Sequence, residues 1–209
     1  MRFWFFFRTN LCLMFLCSFI GLSASAADID TLYQPCAACH GAQGEGNLAL
    51  KAPRLAGQNS VYLERQLNAY KNKQRGYHPD DVQGKVMAQM VQTLSAEDFS
   101  LLANYLAELN PDYLDMAFEG DVAAGRQMFN ETCRDCHGSQ ATGLVRLNSA
   151  NLRILNGEYL RSQLQAYKKG WRGSDENSDT YAKWMRSIAN HIDSDEETAD
   201  VIAFIHSLR

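Results

Sequence analysis

Residues 36–40 read Cys-Ala-Ala-Cys-His, and residues 133–137 read Cys-Arg-Asp-Cys-His. Two cysteines separated by two residues lie on one face of a helical turn, where both sulfurs reach the two vinyl groups of a haem. The histidine that follows then lies over the iron as an axial ligand. Each pentapeptide is the attachment signature of a c-type haem, so the chain is expected to carry two covalently bound haem c groups. The expected thioether residues are Cys36, Cys39, Cys133 and Cys136, and the expected histidine ligands are His40 and His137.

Two other uses of a Cys-x-x-Cys pair fit the sequence less well. A structural zinc ion wants four ligands in one cage, so each pair would need partners from the other half of the chain. A thioredoxin-type dithiol needs no following histidine and comes with a strand–helix pattern, which this sequence lacks. Cys12 and Cys17 lie in an N-terminal segment that is expected to be removed, so no thiol remains for a structural disulfide.

The first 26 residues are typical of a secretory signal peptide. Arg2 and Arg8 give a positive start, residues 11–22 are almost wholly apolar, and residues 24–26 read Ala-Ser-Ala, a cleavage site of small residues. The apolar run is short for a membrane span, which needs about 20 residues, and an uncleaved anchor is the competing interpretation. We expect cleavage after Ala26 and a periplasmic location, either soluble or peripherally associated with the membrane.

The remaining chain is mildly acidic. Without Arg2 and Arg8, 18 of the 20 Lys and Arg residues remain against 24 Asp and Glu residues, a net charge of −6. Neither half carries a basic patch, so a nucleic-acid partner is not indicated. An acidic surface suits a transient encounter with a basic docking site on another protein.

The chain is one unit written twice. A shift of 97 residues places 36–40 on 133–137 and much of 62–71 on 159–168. Two copies of about 90 residues are each large enough to hold a core, so the repeat is a tandem duplication rather than a solenoid. A proline near residue 111 stops a helix between the copies. The expected domains are 27–110, with haem 1, and 111–209, with haem 2.

Each copy is predicted to be all-α, since apolar residues recur at helical spacing and no alternating strand pattern is present. Ser60 is expected to cap the second helix of copy one, and Ser95 the last helix. Asp193 takes the place of Ser95 in copy two, again with acidic residues in the first turn. Only nine residues separate Ala26 from the first cysteine, so the first helix is expected to be short. The other expected helices cover 61–72, 158–169 and 120–129.

The sixth ligand of each iron is predicted to be a methionine. Met185 is the only methionine after the second pentapeptide, and the repeat places it on Met87. Met87 lies eight residues before Ser95, as Met185 lies eight before Asp193, whereas Met90 lies five before Ser95. We therefore predict Met87 as the ligand and Met90 as a packing residue. A thioether favours reduced iron, and two filled axial positions suit electron transfer and block substrate binding at iron.

Three further histidines have no counterpart in the other copy, so we expect them in loops or on the surface rather than at iron. They are His78, His191 and His206. Pro53 follows the first pentapeptide, and a carbonyl in its loop is expected to accept from His40 Nδ1–H and so fix the ring; a rigid turn is the alternative. Ala150 replaces Pro53 in copy two, and this difference is expected to be one source of unequal haems.

The pentapeptides, the run 53–58 (Pro-Arg-Leu-Ala-Gly-Gln) and the methionine eight residues before Ser95 resemble the diheme class I cytochromes c of the cytochrome c4 type. The resemblance covers 36–109 and 133–208. It implies two class I cytochrome c domains related by a pseudo-twofold, with the haem propionates near each other. It further implies a periplasmic electron carrier, expected to be a monomer, whose redox partners are a quinol-oxidising complex or a dehydrogenase and a terminal oxidase.

Two other functions are open alternatives. An enzyme, such as a diheme peroxidase or a thiosulfate-oxidising cytochrome, would require an iron open to substrate or a reactive ligand. A cytochrome subunit of a dehydrogenase complex would have the same sequence features as a free carrier, so the sequence does not separate these two.

Overall fold

The computed structural model describes Met1, residues 26–113 and residues 118–209. Within these ranges the chain is helical and contains no β-strand, only an isolated bridge between Asn47 and Ala52. The predicted all-α class is therefore confirmed. The predicted signal peptide, 1–26, lies almost wholly outside the described residues, and so does Met116. No helix in the described part of the chain is long and apolar enough to cross a membrane.

The helices follow the order of the sequence repeat. Copy one contains α1 (Ala26–His40), α2 (Ser60–Lys71), α3 (Val82–Met90) and α4 (Ala96–Glu108). Copy two contains α5 (Val122–Thr132), α6 (Arg134–His137), a 3₁₀ turn (Val145–Leu147), α7 (Gly157–Lys168), α8 (Thr180–Ala189) and α9 (Asp195–Ser207). The expectation of a short first helix is wrong, because α1 has 15 residues and continues through the first pentapeptide. In copy two the corresponding path is broken at Cys133, between α5 and α6.

The helix starts show which capping predictions were right. Ser95 caps α4 through a capping box with Asp98, as predicted. In copy two Ser194, not Asp193, caps α9, so the methionine lies nine residues before the cap rather than eight. Ser60 is the first residue of α2 and not its cap. The residue before it, Asn59, uses its side-chain amide to reach Thr142 O and Ser149 O in copy two.

Each copy buries its own apolar core. In copy one α2 packs on α4, and α1 adds Tyr33, which is 3% exposed. In copy two α5 crosses α9 at very short range, since a Cβ on Gly125 would lie 1.9 Å from Asp200 O. Phe129, Ile202 and Phe204 lie in the core beside this crossing. These packed helices fix the chain that carries the pentapeptides.

The two copies meet through loops and through α2 and α7. Gln58, only 2% exposed, donates to Asn151 O at 3.0 Å and accepts from Asn151 N at 2.7 Å. His78 stacks on Trp171 of the other copy, with ring centroids 5.8 Å apart. The hydroxyl of Tyr77 lies 3.1 Å from Ser174 Oγ, also across the contact. These hydrogen bonds and the ring stack join the copies at several points, which fixes how the copies sit together.

Candidate haem sites

Both pentapeptide histidines are held by a backbone carbonyl. His40 Nδ1 lies 2.8 Å from Pro53 O, and His137 Nδ1 lies 3.0 Å from Ala150 O. A carbonyl oxygen only accepts, so Nδ1 carries the hydrogen and Nε2 keeps the lone pair that a metal ion needs. The expected hydrogen bond of His40 is confirmed. The change from Pro53 to Ala150 keeps this bond, because it uses a main-chain atom that either residue supplies, and an effect of that change on the haems stays a prediction.

Burial keeps these imidazoles neutral. Desolvation lowers the pKa of His40 and of His137, although the hydrogen bonds to Pro53 and Ala150 oppose it. A neutral imidazole is the form that coordinates a metal. The ring edges therefore have both the charge and the tautomer that an iron ligand requires.

The first cysteine of each pentapeptide lacks the lowered thiol pKa of a redox-active cysteine. None of the four described cysteines forms a disulfide. Burial raises the pKa of the Cys133 thiol to about 12, and burial and the neighbouring Cys39 raise that of Cys36. Reactive thiols have lowered pKa values, so these side chains are poor nucleophiles as free thiols. This evidence goes against the dithiol alternative and agrees with cysteines that are tied to a cofactor.

An apolar cleft in copy two fits a haem. It holds about 1200 Å³ of empty space, counting the part open to solvent, and Cys133, Cys136 and His137 all lie in its wall. Met185 lines the same cleft. The remaining wall is mainly aliphatic and aromatic, as a large flat apolar cofactor requires. It includes Leu152, Leu160, Leu164, Tyr167, Ile202 and Ile205.

The two predicted methionines occupy matching places. Met87 packs against the cluster of Tyr70, Val91 and Phe99, and Met185 packs against the cluster of Tyr167, Ala182 and Ala189. Both are partly buried. Met90, one helical turn beyond Met87, is 47% exposed.

The other three histidines lie away from the cleft of copy two, which none of them lines. His78 stacks on Trp171, and His191 is exposed, with Nδ1 3.0 Å from Ser187 O. The surface position expected for His206 is wrong. Its ring is partly buried, packs edge-on against Phe118 and donates from Nε2 to Leu155 O at 3.2 Å.

A buried cationic centre joins the two copies. Arg75 and Arg172 are 6% and 4% exposed, and both donate to Gln66 Oε1, at 2.7 Å and 3.0 Å. Arg75 also donates to Tyr159 OH and to Gln163 Oε1, at 3.0 Å and 2.9 Å. Neither arginine forms an ion pair within the ranges described above. A buried guanidinium without a carboxylate is costly, so this centre is suited to an anion.

The pKa of the Tyr62 hydroxyl shows that the electrostatic potential of this centre is positive. Burial raises the pKa of the Tyr62 hydroxyl, but the guanidinium groups of Arg172, Arg75 and Arg65 outweigh burial and leave that pKa below its ordinary value. Tyr62 and Arg172 also line the cleft of copy two, and the buried Nε of Arg75 has no hydrogen-bond partner. An anionic edge of a cofactor in this cleft would therefore meet unneutralised positive charge.

Sequence reasoning missed this cationic centre. The signal was present, because the 97-residue shift also places Arg75 on Arg172 and Gln66 on Gln163. A glutamine on the apolar face of α2 and of α7 needs a buried partner, and a matched arginine downstream is a natural donor. The pattern does not reveal that each arginine reaches the glutamine of the other copy as well as its own.

The helices, the two pentapeptides and the apolar cleft define a protein that holds two covalent haems. A family model described as Cytochrome c matches residues 26–110 and 122–209, and the chain belongs to that family.

Individual relatives narrow the class. The chain is 34% identical over 153 residues to the thiosulfate dehydrogenase electron acceptor of Thiomonas intermedia. The matched stretch covers 67% of this chain and 65% of that relative. It is 29% identical over 181 residues to cytochrome c4 of Pseudomonas aeruginosa, covering 83% of each chain. A solved structure of cytochrome c4 from Acidithiobacillus ferrooxidans matches with a TM-score of 0.68 and 29% identity, over 83% of this chain and 99% of that one.

These matches confirm the predicted class, a diheme class I cytochrome c of the c4 type with two covalently bound haem c groups. Members of this class are electron-transfer proteins and not enzymes. The relative from Thiomonas intermedia is named as an electron acceptor of thiosulfate dehydrogenase, which leaves open the alternative of a cytochrome that works with or within a dehydrogenase complex.

Proposed function

We propose that His40 and Met87 bind the iron of haem 1, and that His137 and Met185 bind the iron of haem 2. The observation that carries this proposal is that His137 and Met185 line one apolar cleft with both cysteines of their pentapeptide. For haem 1, the half-buried position of Met87 and the exposure of Met90 favour Met87.

A bound haem supplies a one-electron iron couple, and the chain decides how that couple behaves. The carbonyls of Pro53 and Ala150 orient the histidine rings and increase their basicity. A thioether sulfur from Met87 or Met185 favours the reduced iron and raises its reduction potential. If a histidine and a methionine of each copy both hold the iron, no coordination position would remain for a small molecule, and the site would transfer electrons rather than transform a substrate.

The cationic centre of Arg75 and Arg172 is the natural place for the haem propionates. Its guanidinium groups are buried, carry no carboxylate partner and adjoin the cleft of copy two. Propionates held there would bring the two haems close to the contact between the copies. An electron could then pass from one iron to the other without leaving the protein.

In this proposal the chain is a periplasmic carrier, formed by domains 27–110 and 111–209 after removal of the signal peptide. It takes electrons from a quinol-oxidising complex or a dehydrogenase and delivers them to a terminal oxidase. It works as a monomer, soluble or peripherally associated with the membrane. Its net charge of −6 after removal of Arg2 and Arg8 supports transient docking on basic protein surfaces and gives no support for binding nucleic acid.

A redox titration of the purified holoprotein tests the axial ligands and the carrier role together. We expect two one-electron steps at high potential, with the methionine–iron absorption band present in the oxidised state. Cyanide should bind slowly to the oxidised protein, because it must displace a methionine. Rapid cyanide binding by the native protein, or the absence of the methionine–iron band, would contradict this function.

A dehydrogenase is the donor that the relatives favour. One of them is named for accepting electrons from thiosulfate dehydrogenase, and the matched stretch covers 67% of this chain. A purified thiosulfate dehydrogenase with thiosulfate should then reduce this protein in stopped-flow absorbance. Reduction with separate elution of the two proteins would indicate a mobile acceptor, reduction with co-elution a bound subunit, and no reduction a different donor.

A further inference from the structure

One arginine of copy one reaches into the haem site of copy two. Arg65, on α2, donates to Asp179 Oδ1 at 2.9 Å and to Asn148 O at 3.2 Å. The Arg65 and Asp179 side chains are only 19% and 20% exposed. Arg65 also lines the apolar cleft of copy two, together with Asn148 and Tyr181. Its guanidinium lies 5.1 Å from the centre of the Tyr181 ring.

The repeat does not reproduce this arrangement at haem 1. Ser162 occupies the position of Arg65, is exposed on that side and donates to Tyr159 O. Asp81 occupies the position of Asp179, and each caps its helix, Asp81 through Gly84 N and Asp179 through Ala182 N. Among residues 26–113 and 118–209, however, Asp179 forms an ion pair and Asp81 forms none. The carboxylate beside the methionine helix is thus neutralised in copy two and left negative in copy one.

This difference in charge contributes to the pKa values of the buried tyrosines Tyr70 and Tyr167. Burial raises the pKa of both, as the largest cause. Among the smaller causes, Asp81 raises the pKa of Tyr70, whereas Arg65 lowers that of Tyr167. Tyr70 packs in one cluster with Met87, and Tyr167 in one cluster with Met185. Asp81 thus contributes negative potential beside Met87, and Arg65 contributes positive potential beside Met185.

A charge near a haem acts on its reduction potential because reduction adds one electron to the site. A nearby cation stabilises the reduced form, and a nearby anion stabilises the oxidised form. Solvent screens such charges least when they are partly buried. Both differences therefore favour reduction of haem 2 over haem 1.

We propose that Arg65 makes the two haems unequal, by neutralising Asp179 and so raising the reduction potential of haem 2 above that of haem 1. The inference rests on the proposed His/Met carrier. In that carrier, an electron that enters through domain 1 passes on to domain 2, where the reduction potential is higher. Arg65 lines the cleft and does not bind the iron, so it acts on haem 2 through its charge and through Asp179.

The test uses two variants that change charge in opposite directions. Arg65→Ser gives copy one the residue that copy two already has at this place, and leaves Asp179 unpaired. Asp179→Asn keeps a good helix cap and leaves Arg65 uncompensated. The potentials of both haems are measured by stepwise titration of the holoprotein, with NMR signals of the haem methyl groups separating the two irons.

At a fixed ambient potential, we expect Arg65→Ser to lower the ratio of reduced to oxidised haem 2 by roughly threefold to tenfold. Tenfold corresponds to 59 mV for a one-electron couple. Asp179→Asn should raise the same ratio, and haem 1 should change much less in both variants. Arg65→Lys, which keeps the charge, should stay close to the wild type. As the matched control, Asp81→Asn should raise the ratio for haem 1 alone.

Two results would overturn the inference. Arg65→Ser and Asp179→Asn shifting haem 2 in the same direction would show that the ion pair acts by holding structure and not by charge. No selective shift of haem 2 in Arg65→Ser would remove Arg65 as the cause of inequality. Either result leaves the carrier role intact if the wild type still shows two His/Met haems, whereas a wild type without them would overturn the proposed function itself.

Discussion

A neutral histidine that carries its hydrogen on Nδ1 leaves the Nε2 lone pair for a metal ion, and here one main-chain carbonyl in each copy accepts that hydrogen. Pro53 O and Ala150 O lie 2.8 Å and 3.0 Å from the rings of His40 and His137. Because the acceptor is backbone, the repeat can change the residue without losing the bond. The path of the loop, rather than the side chain at this position, places the acceptor.

Among the described residues, Met185 is the only methionine and His137 the only histidine that line the cleft of copy two, so removal of Met185 should open one iron. In Met185→Ala we expect about half of the methionine–iron band to remain, since one of two haems is untouched. The reduction potential of haem 2 should fall, because the soft ligand that favours reduced iron is gone. Cyanide should then bind rapidly to one haem per chain. Absorbance titrations with and without cyanide measure all three effects.

Met90 provides the matched control. It lies on α3 one turn after Met87 and is 47% exposed, so Met90→Ala should leave the band, the potentials and cyanide binding unchanged. Met87→Ala should repeat at haem 1 what Met185→Ala does at haem 2. Loss of half of the band in Met90→Ala instead would exchange the roles of Met87 and Met90.

Individual residues also show the limit of a repeat-based prediction. The repeat singled out Met87 because, after one extra residue in copy two, it pairs Met87 with Met185 at a separation of 98 residues. The supporting distance to the last helix was eight residues in copy one but is nine in copy two, because Ser194 replaces Asp193 as the cap. The assignment of Met87 therefore depends on the alignment of the two copies, because the distance from the methionine to the cap of the last helix agrees only approximately between them.

At the scale of elements, the crossing of α5 and α9 depends on a glycine. A Cβ at Gly125 would lie 1.9 Å from Asp200 O, a main-chain atom of α9 that has no freedom to move alone. Gly125→Ala should push the helices apart and lower the free energy of unfolding by about 1–3 kcal/mol. Denaturant unfolding of the holoprotein followed by far-UV circular dichroism measures this loss.

Gln127→Ala is the control for this substitution, since Gln127 lies on the exposed face of the same helix. Its effect should stay within about 0.5 kcal/mol of the wild type. An equally small effect of Gly125→Ala would mean that α5 can move away from α9 at little cost.

The last helix also carries a pH-sensitive contact. Desolvation lowers the pKa of His206 below its ordinary value, against a hydrogen bond to Leu155 O that raises it. Since the folded state disfavours the protonated ring, stability is complete above the unfolded pKa, near 6.5, and is lost as the pH falls through it. We expect the wild type to lose more stability than His206→Gln between pH 7 and pH 5. Denaturant unfolding at both pH values tests this, and equal losses would contradict it.

The elements themselves were largely predictable, and their ends were not. The period of apolar residues located α2, α4, α7 and α9 within a residue or two. Ser60 failed as a cap because Asn59 stands before it and its amide serves the contact with copy two, which no local pattern reveals. The length of α1 was underestimated because only the nine residues before Cys36 were considered, whereas the helix continues through the first pentapeptide to His40.

For the whole molecule, the repeat predicted two similar halves but not how they meet. The contact uses polar groups that a hydrophobic pattern treats as surface, such as Gln58, Gln66 and Gln163. Arg65 shows the same limit, since its role depends on reaching a carboxylate 114 residues away. Duplication conserves a site within each copy, whereas the contact between copies is made once and has no second example to compare.

The buried arginines should therefore hold the two domains together as well as the cofactors. Arg75→Leu removes the donors to Gln66, Tyr159 and Gln163 and leaves their oxygens without those bonds. A buried acceptor left without a donor costs about 1–3 kcal/mol, and here the cost falls on the contact between copies. In the holoprotein we expect faster hydrogen exchange in α2 and α7 and separate unfolding of the two halves. Lys85→Ala, an exposed change on α3, should do neither. Unchanged hydrogen exchange in Arg75→Leu would indicate that the copies are held together mainly by the hydrogen bonds between Gln58 and Asn151.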